Sequence, residues 1–230
     1  GTTRDAIDTY VERDDNKFLL IDTAGIRRRS KVYERVEKFS VLRAMTAVDR
    51  ADVVLIVIDA TEGVTEQDTK VAGLAHDEGK GCIFVVNKWD LIEKDNKTMI
   101  NFRNQIKTKF PFMNYAPILF VSALTNQRIN KILQTVMDVS YEQNRTVTTS
   151  VLNEVLGEAV MLNQPPSDKG RRLKIYYGTQ TGTKPPTFTL FINDKKLTHF
   201  SYTRYLENRL RENFGFEGTS IKIEYKQKRR

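Results

Sequence analysis

The stretch with the most specific chemistry is Asn87-Lys88-Trp89-Asp90, which follows a run of apolar residues and has the pattern N-K-x-D. A guanine base presents its N1–H and N2–H₂ donors along one edge, and the Asp90 carboxylate can accept both in a charge-assisted pair. Adenine lacks this donor pair, so a buried Asp90 would be left unsatisfied against it. The Asn87 amide can reach the base or tie neighbouring loops together, and the Lys88 stem can lie along the base plane. The pattern predicts selectivity for guanine.

A second stretch, Ser122-Ala123-Leu124, follows the next apolar run, Ile118–Val121. Its backbone N–H groups are placed to meet the guanine oxygen. In open α/β sheets, ligands bind beyond the carboxyl ends of the strands. We therefore expect this stretch to form part of the same site.

A third stretch, Asp22-Thr23-Ala24-Gly25, directly follows the apolar residues 18–21, which read as a buried strand ending at a loop. Asp22 can hold Mg²⁺, usually through water, because hard cations take oxygen ligands. Gly25 lets a backbone N–H approach a phosphate with no Cβ in the way. Taken alone, the stretch could also be an ordinary Asp/Gly turn.

Near the start of the chain, Thr3 can coordinate the same Mg²⁺ and sense a γ-phosphate, and it is favoured over Thr2. The four stretches occur in the order G-T-T, D-T-A-G, N-K-x-D and S-A-L, and each of the last three directly follows an apolar strand. This order favours one nucleotide site over four unrelated turns.

Through residue 145, apolar strands alternate with amphipathic helices, which predicts a doubly wound, mostly parallel α/β domain. Strands are expected at 7–12, 17–22, 53–59, 82–86 and 118–121, and helices at 37–49, from Thr65 towards Gly79, at 96–110 and at 129–144. The first helix is expected to turn Phe39, Leu42, Met45 and Val48 inward. The apolar run at 53–59 is typical of a strand buried on both faces.

After a polar segment at 146–150, a small α+β domain is expected over 151–230, in the order αββαβ. We expect helices at 151–162, with Ser150 as N-cap, and at 202–213, and strands at 173–177, 188–192 and 220–225, the first two joined through 179–186.

The two domains differ in net charge. Residues 1–150 carry a net charge of +1 and residues 151–230 a net charge of +7, so the second domain is the candidate for a polyanionic partner, with nucleic acid ahead of membrane. The one cysteine, Cys82, lies in an apolar strand and is expected to be an inert buried thiol in a reducing cytosol. We expect no membrane-spanning segment.

RNA binding is the functional interpretation of the second domain. Tyr176, Tyr177 and Phe188 could stack bases, although aromatics at this strand spacing more often form the core. Basic residues cluster around the strands at Lys169, Arg171, Arg172, Lys174, Lys184, Lys195 and Lys196. The tail at 226–230 is either a solvated end or a phosphate contact. The alternative is a domain that packs on the first one and transmits its nucleotide state.

With these motifs together, residues 1–145 resemble a translation-factor-type P-loop GTPase. Three of these motifs are similar in their residues to the second GTPase domain of the EngA (Der) family: Gly1-Thr2-Thr3-Arg4-Asp5, Asp22-Thr23-Ala24-Gly25-Ile26-Arg27 and Asn87-Lys88-Trp89-Asp90. Residues 150–230 resemble that family's C-terminal KH-like domain. The resemblance implies a cytoplasmic GTPase that acts in assembly of the large ribosomal subunit and binds ribosomal RNA, with a first GTPase domain upstream in the same chain.

Two motifs of these families are missing. No G-x-x-x-x-G-K-S/T phosphate loop occurs in the 230 residues, so we expect the chain to continue a longer one that supplies this loop. Without that part we expect negligible GTP affinity, and the chain would then act as a non-enzymatic RNA-binding or domain-docking module. The nucleic-acid-clamping G-x-x-G of ordinary KH domains is absent as well, since the glycines of 178–182 have the wrong spacing.

Ile26 occupies the position where Ras-type enzymes orient the attacking water with Gln. An apolar side chain cannot hydrogen-bond water, so no catalytic residue is certain in this chain. The resemblance implies a potassium ion near the first switch loop, to which the Thr2 region could offer backbone carbonyls. The run Arg27–Arg29 is either a switch segment ordered by the γ-phosphate or a solvated basic loop.

We therefore predict slow intrinsic GTP hydrolysis, because Ile26 cannot orient the attacking water. The resemblance implies that K⁺ stimulates this hydrolysis over Na⁺, by neutralising charge that develops in the reaction. The measurement is phosphate release by the longer, loop-containing protein in matched KCl and NaCl. Equal rates in the two salts would contradict it.

Overall fold

The computed structural model describes residues 8–21, 44–168 and 170–228. The strands of its first part are β1 (Asp8–Arg13), β2 (Asn16–Ile21), β3 (Val53–Asp59), β4 (Gly81–Asn87) and β5 (Ile118–Phe120). The helices are α1 (44–50), α2 (Glu66–Asp77), α3 (Thr98–Lys109) and α4 (Asn130–Asn144). The predicted site residues Thr3, Asp22, Thr23, Ala24, Gly25 and Ile26, like Arg27–Arg29, lie outside the described residues.

The centre of the first domain is a parallel sheet in the order β3-β4-β5. β4 is buried on both faces because its sequence is continuously apolar from Cys82 to Val86. Helices α1, α2 and α3 contribute to the core on one face, and α4 packs on the other face through Val139. The predicted doubly wound architecture is confirmed. β1 and β2 form an antiparallel hairpin that pairs with no other strand among the described residues. The expected buried strand at 18–21 is wrong, because Leu19 and Leu20 are each 41% exposed.

Two expected core positions of this domain are wrong. Met45 is 44% exposed, and α1 instead turns Ala44, Ala47 and Val48 inward. Val57 is 52% exposed although the whole β3 run is apolar, so this strand is not buried on both faces. β3 is an edge strand of the described sheet. On the side of the sheet that faces α4, Val53 and Leu55 pack into the core, and Val57, farther along the strand, does not.

Helix α2 begins and ends as its sequence predicts. The Thr65 hydroxyl accepts a hydrogen bond from the Asp68 N–H, and the Asp68 carboxylate accepts one from the Thr65 N–H, which completes the capping box. Gly79 follows the helix with φ +67°, the left-handed conformation that glycine adopts without strain. The chain then turns directly into β4.

The second domain consists of α5 (Thr149–Leu162), β6 (Ser167–Asp168), β7 (Arg171–Arg172), β8 (Ile175–Gly182), β9 (Thr187–Ile192), α6 (Phe200–Phe214) and β10 (Lys222–Gln227). Its main sheet has the order β10-β9-β8, with β9 antiparallel to β8 and parallel to β10. Both helices cover one face of this sheet, through residues that include Leu152, Leu156, Leu206 and Leu210.

Three boundary predictions in this domain are wrong. Ser150 is not the N-cap: α5 begins at Thr149 after Thr148, whose side chain makes no capping hydrogen bond. Residues 179–182 belong to β8 rather than to a connection, because Gly182 still pairs with Thr187. The strand β10 extends to Gln227, so the first two residues of the expected tail pair with β9.

A loop of the second domain closes the amino end of the first domain's sheet. The Gly218 carbonyl accepts a hydrogen bond from the Cys82 N–H at 2.8 Å, and the Gly218 N–H donates to the Tyr115 carbonyl at 2.8 Å. The Arg211 guanidinium holds this loop, since it donates to the Phe216 and Thr219 carbonyls at 2.6 and 3.0 Å. It also lies 4.9 Å from the centroid of the Tyr115 ring. The two domains are therefore joined through backbone as well as side chains.

Gly218 permits this contact because it has no side chain. Its φ is +79°, and a Cβ would lie 2.2 Å from Val139 Cγ2 and 2.9 Å from Cγ1. Real Cβ atoms do not approach other heavy atoms so closely, so any other residue must push the loop away from α4. The loop and Cys82 would then lose their hydrogen bond.

We predict that Gly218→Ala lowers the free energy of unfolding by at least about 3 kcal/mol, from overpacking and lost hydrogen bonds. It should also expose Cys82, whose thiol is buried and whose pKa is raised by burial to about 12. The measurements are urea unfolding and the rate of Cys82 alkylation.

Gly170→Ala is the matched control, because Gly170 has φ +74° with nothing within 4 Å of a Cβ. It should cost only about 1 to 2 kcal/mol, for the left-handed backbone, and leave the thiol unreactive. Equal effects of the two substitutions would contradict the packing argument.

Candidate guanine-nucleotide site

Asn87 ends β4 and links two loops at the carboxyl edge of the sheet. Its Oδ1 accepts a hydrogen bond from the Ala123 N–H at 3.0 Å. Ala123 follows β5, which pairs in parallel with β4, so the two strand ends are neighbours. Of the two roles that the sequence left open for the Asn87 amide, this geometry is that of a tie between loops.

Lys88 is held in an unusual backbone conformation and pairs with a buried carboxylate. Its φ of 60° and ψ of 31° are left-handed, which is uncommon for a residue with a Cβ. Its ammonium group lies 2.6 Å from Asp59 Oδ2, and the Asp59 side chain is only 2% exposed. The other oxygen, Oδ1, accepts hydrogen bonds from the N–H and the hydroxyl of Thr61. This network fixes the direction in which the chain leaves β4.

Asp59 is a residue of the site that sequence reasoning missed. The signal was present, because Asp59 ends the apolar strand β3 in the same way that Asn87 ends β4. The two residues are also register partners in the parallel sheet. An acidic residue at the carboxyl end of a buried strand is the position at which a ligand-binding or ligand-positioning group is expected.

The indole of Trp89, predicted among the nucleotide-binding residues, lies in the core. Trp89 is 2% exposed and packs against the rings of Phe102 and Phe120 at centroid distances of 5.7 and 4.4 Å. The backbone N–H of Trp89 donates to the Val121 carbonyl at 3.0 Å. A side chain so enclosed cannot stack on a base. Trp89 instead anchors the loop between its two polar neighbours, Lys88 and Asp90.

Asp90 follows this anchor in a short 3₁₀ helix, Trp89–Leu91. Its side chain is half-buried, and within the described residues its Oδ1 is buried without a hydrogen-bond partner. A buried acceptor without a donor carries a free-energy cost of roughly 1–3 kcal/mol, and more when it is charged. A ligand that brings N–H donors to this carboxylate would recover that cost, which is the chemistry of the guanine edge.

The backbone N–H groups of Ser122-Ala123-Leu124 are mostly occupied. The Ser122 N–H donates to the Gln127 carbonyl, and the Ala123 N–H donates to Asn87. Leu124 is 85% exposed, and its N–H has no partner in the described part of the chain. Of these three backbone N–H groups, that of Leu124 is therefore the one available for the predicted contact with the guanine oxygen in this arrangement.

The metal and phosphate parts of the predicted site, Thr3 and Asp22–Ile26, are not among the described residues. Within 8–21, 44–168 and 170–228, no three His, Cys, Asp or Glu residues are grouped so that they could hold a metal ion. No helix over the same residues is both long and apolar enough to span a bilayer.

Family models match both parts of the sequence. Residues 1–142 match the elongation factor Tu GTP binding domain. Residues 146–226 match the C-terminal KH-domain-like region of EngA bacterial GTPase enzymes. Both matches agree with the resemblance deduced from the motifs, which is confirmed.

Curated relatives named GTPase Der align with nearly the whole chain. Those from Alkaliphilus metalliredigens and Alkaliphilus oremlandii are 65% and 60% identical over 228 residues, which is 99% of this chain and 52% of each relative. The relative from Geobacillus thermodenitrificans is 59% identical over 97% of this chain and 51% of its own length. The chain thus spans about half the length of these relatives.

Solved structures of Era share the fold. Aquifex aeolicus Era bound to GDP and AlF₄⁻ superposes with a TM-score of 0.51 at 19% identity, covering 99% of this chain and 82% of that chain. Era in complex with MgGDPNP and a segment of 16S ribosomal RNA gives a TM-score of 0.52 at 20% identity, with the same coverage. At this identity the likeness concerns the fold alone.

We predict that Asn87→Ala releases the loop after β5. The Ala123 N–H loses its acceptor, so its hydrogen–deuterium exchange should accelerate at least tenfold, and the free energy of unfolding should fall by about 1 kcal/mol. Asn101→Ala, on the exposed side of α3, is the matched control and should change neither quantity. Unchanged Ala123 exchange in Asn87→Ala would show that the tie does not hold the loop.

Proposed function

The chain belongs to the family of elongation factor Tu GTP-binding domains, and on that premise we propose that it is the second GTPase domain and the KH-like domain of a longer GTP-hydrolysing protein. We assign 1–145 to the GTPase domain, 146–150 to the linker and 151–230 to the KH-like domain. The longer protein would supply the phosphate loop and a first GTPase domain upstream. The length of the GTPase Der relatives, about twice that of this chain, supports this assignment.

The observation that carries the guanine assignment is the buried, unpartnered Oδ1 of Asp90, noted above within the described residues. In our proposal the Asp90 carboxylate accepts the N1–H and N2–H₂ groups of guanine. The Leu124 N–H donates to the guanine oxygen. Asn87 and the Lys88–Asp59 pair hold the two loops in register, and Trp89 anchors the first of them.

At the phosphate end we propose that Thr3 and Asp22 hold the Mg²⁺ that accompanies GTP, and that Gly25 reads the γ-phosphate through its backbone. The ion would neutralise charge on the phosphates. Ile26 offers no hydrogen bond to water, so hydrolysis would be slow and would depend on a further cation, K⁺.

We further propose that the protein is a cytoplasmic switch in assembly of the large ribosomal subunit. GTP would order the switch loops of the first domain, and the basic second domain would engage or release ribosomal RNA. The net charge of +7 on residues 151–230 supports a polyanionic partner. Era, which shares the fold, has been captured with ribosomal RNA, in its case 16S.

A role in transmitting the nucleotide state has its own support in the contact between the domains. β4 carries Asn87 at one end and receives the Gly218 loop at the other, through the Cys82 N–H. The strand spans about 20 Å at 3.3 Å per residue. We propose that it couples the guanine loops to the KH-like domain.

The test of the guanine assignment is Asp90→Asn in the longer, loop-containing protein. An amide places an N–H₂ donor against the guanine donors, so GTP affinity should fall at least about 100-fold. Xanthosine triphosphate has a carbonyl where guanine has its 2-amino group, so it should bind the variant better than GTP does. The measurement is a titration with each nucleotide.

The matched control is Asp138→Asn on the exposed face of α4, which should leave both affinities unchanged. A variant Asp90→Asn that still prefers GTP would contradict the assignment.

A further inference from the structure

In the described part of the chain, helices cover one face of the second domain's main sheet and leave the other face without a helix. Residues of β9 alternate: Phe188, Leu190 and Ile192 are fully buried against α5 and α6, so Thr189 and Phe191 lie on the opposite side. Thr189 is only 1% exposed and shares a hydrogen bond with the Thr181 hydroxyl, so the accessible part of this side lies around Phe191. In β10, Tyr225 points to the helices, because its hydroxyl hydrogen-bonds that of Thr203 in α6. The helix-free side of the sheet, with the residues described below, is called the open face.

Aromatic rings cluster at one end of the open face. Tyr177 pairs with Phe191 across the strands, and their rings are stacked at 4.3 Å with an interplanar angle of 13°. A register shift between Ile175 and Tyr177 inserts Tyr176 as an extra residue beside Tyr177. Tyr176 and Tyr177 remain 51% and 41% exposed. Of the aromatics expected from the sequence to stack, only Phe188 is in the core.

A row of lysines runs beside these rings along β10 and its continuation. Lys226 is the register partner of Phe191, and the Lys228 ammonium lies 5.6 Å from the centroid of the Tyr176 ring. Lys222 and Glu224 continue the same alternation and pair with each other at 2.9 Å. The hydrogen bond and charge of Lys222 lower the pKa of Glu224, and the charges of Lys226 and Lys195 lower it further. Among these described residues the lysines outnumber the carboxylate of Glu224, so this row is cationic.

We propose that this open face is a stacking platform for unpaired bases of single-stranded RNA. Bases would stack on Tyr177 and Tyr176, and Lys226 and Lys228 would contact the phosphates. The rows on β8 and β10 are about 10 Å apart, two strand spacings, which the lysine side chains help to bridge. The proposal deepens the ribosomal RNA binding proposed above and rests on it.

The chemistry favours single-stranded RNA over other ligands. An aromatic ring flanked by cations suits a base, because every base has a π-face and a neighbouring phosphate. A duplex keeps its bases stacked on one another and cannot present their faces. The platform lies on the side of the sheet away from the helices. It would therefore let this domain bind RNA without a G-x-x-G loop.

The test is fluorescence anisotropy of a labelled single-stranded oligouridine, titrated with the 230-residue chain and its variants. Tyr177→Leu keeps apolar cover on Phe191 but removes the ring, and should weaken binding about tenfold or more. Tyr177→Phe should bind as the native chain does. Tyr141→Leu changes a tyrosine that is 67% exposed on α4 and should have no effect. Equal urea midpoints show that each variant is folded.

A second measurement uses the salt dependence of binding. Lys226→Gln should reduce the slope of log K against log salt by about 0.7, the value for one phosphate of a single strand. Lys107→Gln, on the exposed side of α3, should leave the slope unchanged. The oligouridine annealed to its complement should bind more weakly than the free strand.

Native affinity in Tyr177→Leu would overturn the platform and leave RNA binding by another surface in place. Failure of the native chain to bind the free strand would overturn it too, without touching the guanine assignment, which Asp90→Asn tests separately. If Tyr177→Leu spares RNA binding but weakens packing of an added upstream GTPase domain, the face belongs to a protein partner and the proposal is wrong.

Discussion

The hydrogen bond from the Ala123 N–H to Asn87 Oδ1 is the contact on which the candidate site depends. It joins two loops that are remote in sequence and become neighbours only because β4 and β5 are parallel. The loop of Asn87 also carries Asp90, and the loop of Ala123 also carries the Leu124 N–H, which has no partner among the described residues. A base that is read by both loops requires them to stay at a fixed separation. The sheet sets that separation coarsely and the Asn87 side chain sets it finely.

The same strands connect the site to the second domain. Their amino ends are closed by the Gly218 loop, which donates to Tyr115 and accepts from Cys82. Because a buried parallel strand cannot shift without breaking its ladder, a displacement at one end is felt at the other. The candidate guanine loops and the second domain are thus joined through one buried strand, and in our account the KH-like domain uses this strand to respond to the nucleotide.

Much of this arrangement follows from the sequence, because its signals are local. Continuous apolar runs marked the parallel strands, and Thr65 with Asp68 marked the start of α2. The parts that failed depend on neighbours distant in sequence. Trp89 has the polar neighbours of a ligand-binding residue, and only the packing of Phe102 and Phe120 shows it to be an anchor. Phe188, a stacking candidate from the sequence, likewise lies in the core because the helices cover its side of the sheet.

The most direct test of the central claim is a crystal structure of the longer, loop-containing protein with GDP and with a non-hydrolysable GTP analogue. Our account predicts that in both complexes the guanine N1–H and N2–H₂ groups lie within hydrogen-bonding distance of the Asp90 carboxylate and that the Leu124 N–H points to the guanine oxygen. A base bound elsewhere, or an Asp90 carboxylate turned away from it, would contradict the account.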